Sequence, residues 1–460
     1  MKLRTSMRLL LVLLIAGPVA RPAAAWAAES ELVRVGFFAV DASPPIGSPL
    51  AYDPCRQVVL PLSARGIVLL GSESPIVLCA VDWIGIGNDG NRQWREALAR
   101  AASTSPNRVS VHTLHQHDAP SCDMSAERLL AEHGLGGLMF DVAFARRTID
   151  KVAAAVGAAA GSARPVTHLG LGQAKVDKVA SNRRILGPDG RVRAVRYTTC
   201  SDPKLRAEPA GVIDPYVKSI SFWNDETPLV VLTYFATHPQ SYYRTGKANP
   251  DFPGMARLLR EFTLNGLPHV HFNGAGGNIG AGKYNDGGHE NRQILALRMA
   301  EGMARAWQAT KKIPLAADEV GWDIEPVAIP AAPHLDQQRL LSILDDAARP
   351  KKERIRAARD LAWLRRCLHG ETIDISCLRL GPARVVHLPG EAVVEYQLAA
   401  QKMQPDLFVA VAAYGDYGPG YICLQEHYRQ GGYEDSPRAS RVAPTTETVL
   451  MPALERLLAP

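Results

Sequence analysis

The 460-residue chain carries seven cysteines (Cys55, Cys79, Cys122, Cys200, Cys367, Cys377 and Cys423), yet no two stand in Cys-x-x-Cys spacing. That absence removes zinc ribbons and thioredoxin-type dithiols. His-Glu-x-x-His is also missing, which removes the zincin arrangement, and no Gly-x-Ser-x-Gly elbow supports a nucleophilic serine of the α/β-hydrolase kind. The glycine-rich run "NGAGGNIGAGKY" has neither the Gly-Lys-Ser/Thr ending of a phosphate loop nor the full dinucleotide fingerprint. Beyond the N-terminus no apolar run is long enough for a bilayer. Charge of one sign is scarce too: 52 Lys and Arg stand against 46 Asp and Glu, a net +6. So small an excess gives no electrostatic footprint for nucleic acid. Internal repeats and low-complexity linkers are absent.

What is present begins with a leader. Three basic residues precede the apolar run Leu9 to Ala16, followed by Gly17-Pro18 and small residues. That layout predicts a signal peptide over 1–27, cut after Ala25 or Ala27, and a single domain over 28–460. Export to the periplasm or the medium is the expected localisation. An oxidising destination permits disulfides, and Cys367 with Cys377 could close a short loop. Cys79, inside "PIVLCAVDW", reads as a small buried hydrophobe.

The hydrophobic pattern predicts an α/β (α+β) chain of mixed sheets flanked by helices. "ARGIVLL" and "PIVLCAVDW" read as strands joined by "GSES", "NRQWREALARAAS" as an amphipathic helix, and "RVSVHTLH" as the strand after it. "GLMFDVAFARRTIDKVAAAVGAA" and "FPGMARLLREF" carry helical spacing. "PLVVLTYFATH", "HVHFNGAGG", "RVVHLPGE" and "DLFVAVAAYG" read as strands. The Arg- and Lys-rich stretch from Asp336 to Leu368, broken at Pro350, reads as a helical pair with a solvated face.

Three histidines and an aspartate fall within "HTLHQHDAP", residues 112–120. If the strand runs on, its period of two sends His115 and His117 to one side and His112 to the other. A same-face pair at a strand end suits a metal, and also a plain polar loop. "YFATH" delivers His238 at a second strand exit, where a rigid scaffold could hold a ligand or simply bury a histidine. The glycines of "GAGGNIGAG" would let backbone approach a metal or substrate closely.

Taken in order, these segments resemble the neutral ceramidase family of zinc amidohydrolases. "VGFFAVDASPPIGSPL" is similar to the family's opening strand and turn. "LHQHDAP" resembles its His-Thr-His-Ser-Gly-Pro, which implies His115 as a zinc ligand and His117 as a catalytic histidine. "NRRILGPDG" implies Arg183 as a contact to a polar group of the substrate. "YFATHPQS" implies His238 as the next ligand, and "LPGEAVVEY" implies Glu391 as the carboxylate ligand. "GYICLQEHYRQGGYE" implies Tyr421 at the metal and Tyr433 as a second active-site tyrosine. Zn2+ is the cofactor so implied. Two imidazoles and a carboxylate match catalytic zinc, which lowers the pKa of a water toward ~7.

The chain departs from the family in three places. Gly280 and Asn278 in "GNIGA" stand where the family has the serine and aspartate of Gly-Asp-Val-Ser-Pro. "HDAPSCD" replaces a glycine-rich stretch, leaving Asp118 to orient a histidine or meet a polar substrate. After the tyrosine motif there is room only for a short helix, "TVLMPALERLLA", so no C-terminal sandwich domain is expected. The reading is an exported zinc-dependent amidohydrolase, cleaving an N-acyl substrate smaller or more polar than ceramide by metal-activated water. The alternatives are an ester or lactone hydrolase on the same scaffold and a non-catalytic binding protein.

Overall fold

Successive residues of one strand enter two different cores. Ile76, Leu78 and Ala80 lie in one, and Val77, Cys79 and Val81 in the other. This is the period of two that puts neighbouring side chains on opposite faces of a sheet. The computed structural model describes residues 32–459, so the expected signal peptide lies outside the described residues.

The first sheet contains β1 (Val33–Asp41), β2 (Ser63–Leu70), β3 (Ile76–Val81), β4 (Val109–Thr113) and β5 (Arg164–Val166), in the order β4-β3-β2-β1-β5. The second contains β6 (His168–Lys175), β7 (Tyr216–Asn224), β8 (Thr227–Phe235), β9 (His269–Asn273) and β10 (Lys311–Pro314), in the order β9-β8-β7-β6-β10. The third runs β11 (Val320–Val327), β12 (Ile373–Leu380), β13 (Ala383–His387), β14 (Phe408–Ala412) in sequential order. The inner faces meet in one apolar core, with Ile67 and Leu78 from the first sheet, Phe222 and Phe272 from the second, and Leu378 and Val385 from the third.

Helices cover the outer faces. Of these, α1 (Asp89–Ala102) and α3 (Val142–Gly161) pack on the first sheet, where Trp83, Trp94 and Phe144 meet, and α2 (Met124–Glu132) lies beside α1. On the second sheet lie α4 (Asp251–Thr263) and α5 (Asn291–Gln308). The pair α6 (Gln337–Asp345) and α7 (Lys351–Leu368) is the expected one. Its inner face is not solvated, however. Buried Arg354 donates to the Leu344 and His133 carbonyls, and Asp360 accepts from Arg441. The arginines there are stems packed on the core with their heads satisfied by other elements.

Each sheet holds one parallel pair near its middle or edge: β3 with β4, β8 with β9, β13 with β14. The carboxyl ends of all three pairs converge. Backbone bonds tie them together: Thr113 N–H donates to Tyr414 O at 2.9 Å, Ala413 N–H to Asn273 O at 2.9 Å, and Leu114 N–H to Val81 O at 2.8 Å. Open α/β sheets bind ligands at strand carboxyl ends. Among the described residues no helix is long and apolar enough to cross a membrane. All seven cysteines are free, so the possible Cys367–Cys377 bridge is not formed; Cys367 Sγ faces the Ile329 carbonyl and Cys377 is buried in strand β12.

Candidate metal centre

Every loop that leaves the three converging strand pairs brings a polar side chain inward. The segment after β4 supplies His115 and His117, that after β8 supplies His238, and that after β13 supplies Glu391. Glu391 is fixed by a short parallel pairing of Glu391–Ala392 with Tyr421–Ile422, which also brings Tyr421 alongside. His115, His238 and Glu391 are buried to within a few per cent.

The histidine pair reaches the site by a different route from strand alternation. β4 stops at Thr113, and His115 sits in the left-handed region at φ 61°. Such a conformation costs a non-glycine residue on the order of 1–3 kcal/mol and persists only where the surroundings impose it. They do so here. His115 N–H donates to Trp83 O at 2.9 Å, its Nδ1 lies 2.6 Å from Ile84 O, and its ring stacks on Tyr414, itself at φ 61°. His112 faces away, between Ser110 Oγ and the Ala413 carbonyl at 2.7 Å each, as its odd offset predicted.

With Nδ1–H given to the Ile84 carbonyl, a neutral His115 presents a bare Nε2. That atom faces Glu391 Oε2 at 3.2 Å, and neither has a hydrogen-bond partner. Two buried acceptors at that distance repel unless a cation lies with them. His238 Nε2 is 3.8 Å from the same carboxylate oxygen and 3.1 Å from His117 Nε2. His115, His117 and His238 thus form a group that could hold a metal ion, their ligand atoms within 4.8 Å of one another. Burial pushes His117 and His238 well below the ordinary imidazole pKa, keeping both neutral as metal ligation requires.

His117 differs from the other two in its far side. Thr198 hydroxyl donates to Gln240 Oε1, which turns the Gln240 amide N–H toward His117 Nδ1 at 3.0 Å. Tyr52 Oη lies 2.9 Å from the same nitrogen. An Nδ1 that accepts leaves the proton on Nε2, pointing at the site. The tautomer follows from the network rather than from any seen hydrogen.

Arg183 is buried and largely committed. Its Nε donates to Glu434 Oε1 and its Nη2 to Tyr421 Oη, both at 3.1 Å, and Nη2 also meets the Gly277 carbonyl. Only Nη1 is left for a substrate. Glu434 bridges to Arg184 as well, through Oε2. Tyr433 stands half-buried with its ring edge-on to Tyr421, centroids 5.6 Å apart.

The glycine run acts by closeness, as expected. A Cβ on Gly276 would fall 2.6 Å from the Thr237 carbonyl, and one on Gly277 would fall 2.3 Å from the Glu391 carbonyl. Asp118 takes neither expected role: it accepts from the N–H groups of Arg244 and Thr245 and from the Thr245 hydroxyl, anchoring the loop after His238. Tyr417, which donates to Glu391 Oε1 at 2.7 Å, was missed, as were Tyr52, Gln240, Tyr414 and Glu434. The dense run "YGDYGPGY" (414–421) was the available signal for two of them.

No protein-family model matches the chain, and no curated protein matches it by sequence. Solved structures do. Neutral ceramidase from Pseudomonas aeruginosa matches with a TM-score of 0.67 at 16% identity, over 93% of this chain and 74% of that one. A ceramidase complexed with C2 matches with a TM-score of 0.65 at 16% identity, over 93% and 75%. The chain has a neutral-ceramidase-like fold of mixed sheets flanked by helices, in a strongly diverged sequence.

Proposed function

We propose that the protein is an exported, zinc-dependent amidohydrolase acting on an N-acyl substrate. One observation carries the reading: His115 Nε2 and Glu391 Oε2, buried and without hydrogen-bond partners, face each other at 3.2 Å beside two further imidazoles. Neutral imidazoles with a carboxylate are the donor set of catalytic zinc. His115, His238 and Glu391, with Tyr421 beside them, would hold the ion. Bound there, zinc would supply Lewis acidity and a water acidified toward neutral pH.

The chain's own residues do the rest. His117, its proton on Nε2, is placed to donate a hydrogen bond to a departing amine or a developing oxyanion. Tyr421 and Tyr433 carry hydroxyls able to donate to a developing oxyanion, and Arg183 holds Tyr421 in place for that task. Burial keeps water out of the walls of the site and strengthens each of these interactions. Ester cleavage is the second reading, favoured by one feature. Gly280 stands where the related family has serine, and a Cβ there would lie 3.3 Å from Arg183 Cδ, so the arginine stem fills part of that space.

Purified protein should hold about one zinc per chain by elemental analysis. His115→Ala and His238→Ala should each lose the metal and the hydrolysis of N-acyl amides. A wild-type protein that neither binds zinc nor depends on metal would end the proposal. Parallel amide and ester panels separate the two readings.

A further inference from the structure

Tyrosines and an exposed arginine border His117. Tyr52, about half exposed, stacks on His117 and tilts against Tyr243 at 5.0 Å between centroids. Tyr197 and Tyr433 meet edge-to-face at 5.7 Å beside Tyr421. Arg244 is exposed, with Cζ 5.0 Å from the centre of Tyr52 and 5.3 Å from that of Tyr243. A guanidinium resting on two rings keeps its N–H edges free while its faces are covered.

Its place is not left to chance. Arg244 has φ 66°, a left-handed backbone held by Asp118, which accepts its N–H at 2.9 Å and also ties Thr245. Asp118 is itself mostly buried and spends its oxygens on that turn. A strained, pinned backbone under an exposed arginine fits a residue positioned for contact.

The charge balance gives the sign. Inside, Arg183 is matched by Glu434 and Arg292 by Asp251. Glu391 faces the histidines. Among the described residues no carboxylate comes within ion-pair distance of Arg244, Asp53 beside Tyr52 included. A divalent ion with one carboxylate would leave the interior net positive, and Arg244 adds to it at the rim. Tyrosine faces in place of an aliphatic wall leave little for a long neutral chain.

We propose that Arg244 is a specificity-determining residue that binds an anionic group of the substrate, a carboxylate, so that the preferred substrates are N-acyl compounds bearing that charge rather than neutral amides. The proposal rests on the amidohydrolase reading. Its recognition would be the charge-assisted, two-pronged pairing that guanidinium makes with carboxylate.

The test uses the zinc-loaded full chain with N-octanoylglycine and its neutral isostere N-octanoylglycinamide. Wild type should favour the acid in kcat/KM by about 10-fold or more, mainly through KM, and Arg244→Gln should collapse that ratio toward one. Arg244→Lys should restore part of the preference, which a merely structural loss would not do. Raising salt should narrow the ratio in wild type alone. Calorimetry with N-octanoylglycine gives a second measurement free of turnover, with binding weakened about 10-fold in Arg244→Gln. Arginine-dependent binding without hydrolysis would overturn the amidohydrolase reading while keeping Arg244 as the carboxylate-binding residue. Equal handling of acid and amide by wild type, in both turnover and binding, would overturn this one.

Discussion

Glu391 uses its two oxygens differently. Oε1 accepts from Tyr417 at 2.7 Å, and Oε2 faces His115 with no hydrogen bond of its own. Partners that orient a ligand tune metal affinity by roughly 10- to 100-fold. Tyr417→Phe should therefore weaken zinc binding by about 10-fold, read by competition with a chromophoric chelator, while the far-UV spectrum stays native. An affinity equal to wild type would mean that Glu391 is held by its backbone pairing alone. His115 and His238 stand out in the sequence because each follows a hydrophobic strand, β4 or β8, within three residues, whereas Glu391, four residues after β13, was pointed to only by the family resemblance. Their helpers give no such signal. Gln240 matters through Thr198, and Glu434 through Arg183 some 251 positions away, and no local pattern announces such pairs.

At the scale of elements, the ends of strands matter more than their middles. Asp82, directly after β3, is fully buried and takes both guanidinium nitrogens of Arg257 from α4 at 2.8 Å. Burial alone would raise its pKa, but Arg257 outweighs that and keeps it below the usual carboxylate range. This pair fixes the turn whose Ile84 carbonyl holds the His115 ring. Arg257→Leu leaves that charge unmatched, so it should cost about 3–5 kcal/mol in urea unfolding and loosen zinc with it. A loss under about 1 kcal/mol would show that Ser63 and Arg65 suffice. The strands and helices that were read from their periods are present, while β6, β7, β11, β12 and α2 went unread. What failed was the assumption that β4 continues to His117. Period-two logic cannot see a left-handed residue, and His115 takes that conformation because Trp83, Ile84 and Tyr414 impose it.

For the whole molecule, burial of histidines sets an acid limit. Burial, foremost, lowers His112 to about 4 and both His269 and His271 to about 3, against 6.5 unfolded. Below pH 6.5 the unfolded chain takes up protons that the folded one refuses, so stability falls as pH drops from 6.5 toward 4. The loss is on the order of 1 kcal/mol per pH unit for each histidine. Urea midpoints measured at pH 7, 5.5 and 4.5 should decline steadily; a flat line would place these imidazoles in contact with water. The meeting of three sheets was not legible, because each strand shows only that both its faces are apolar and not which sheet lies opposite. That meeting has a further consequence. The first sheet carries His115 and His117, the second His238, and the third Glu391, so no sheet alone owns more than part of the donor set. A half-folded chain cannot capture the ion, and a bound ion would act as a rivet, favouring the completed fold over every partial one.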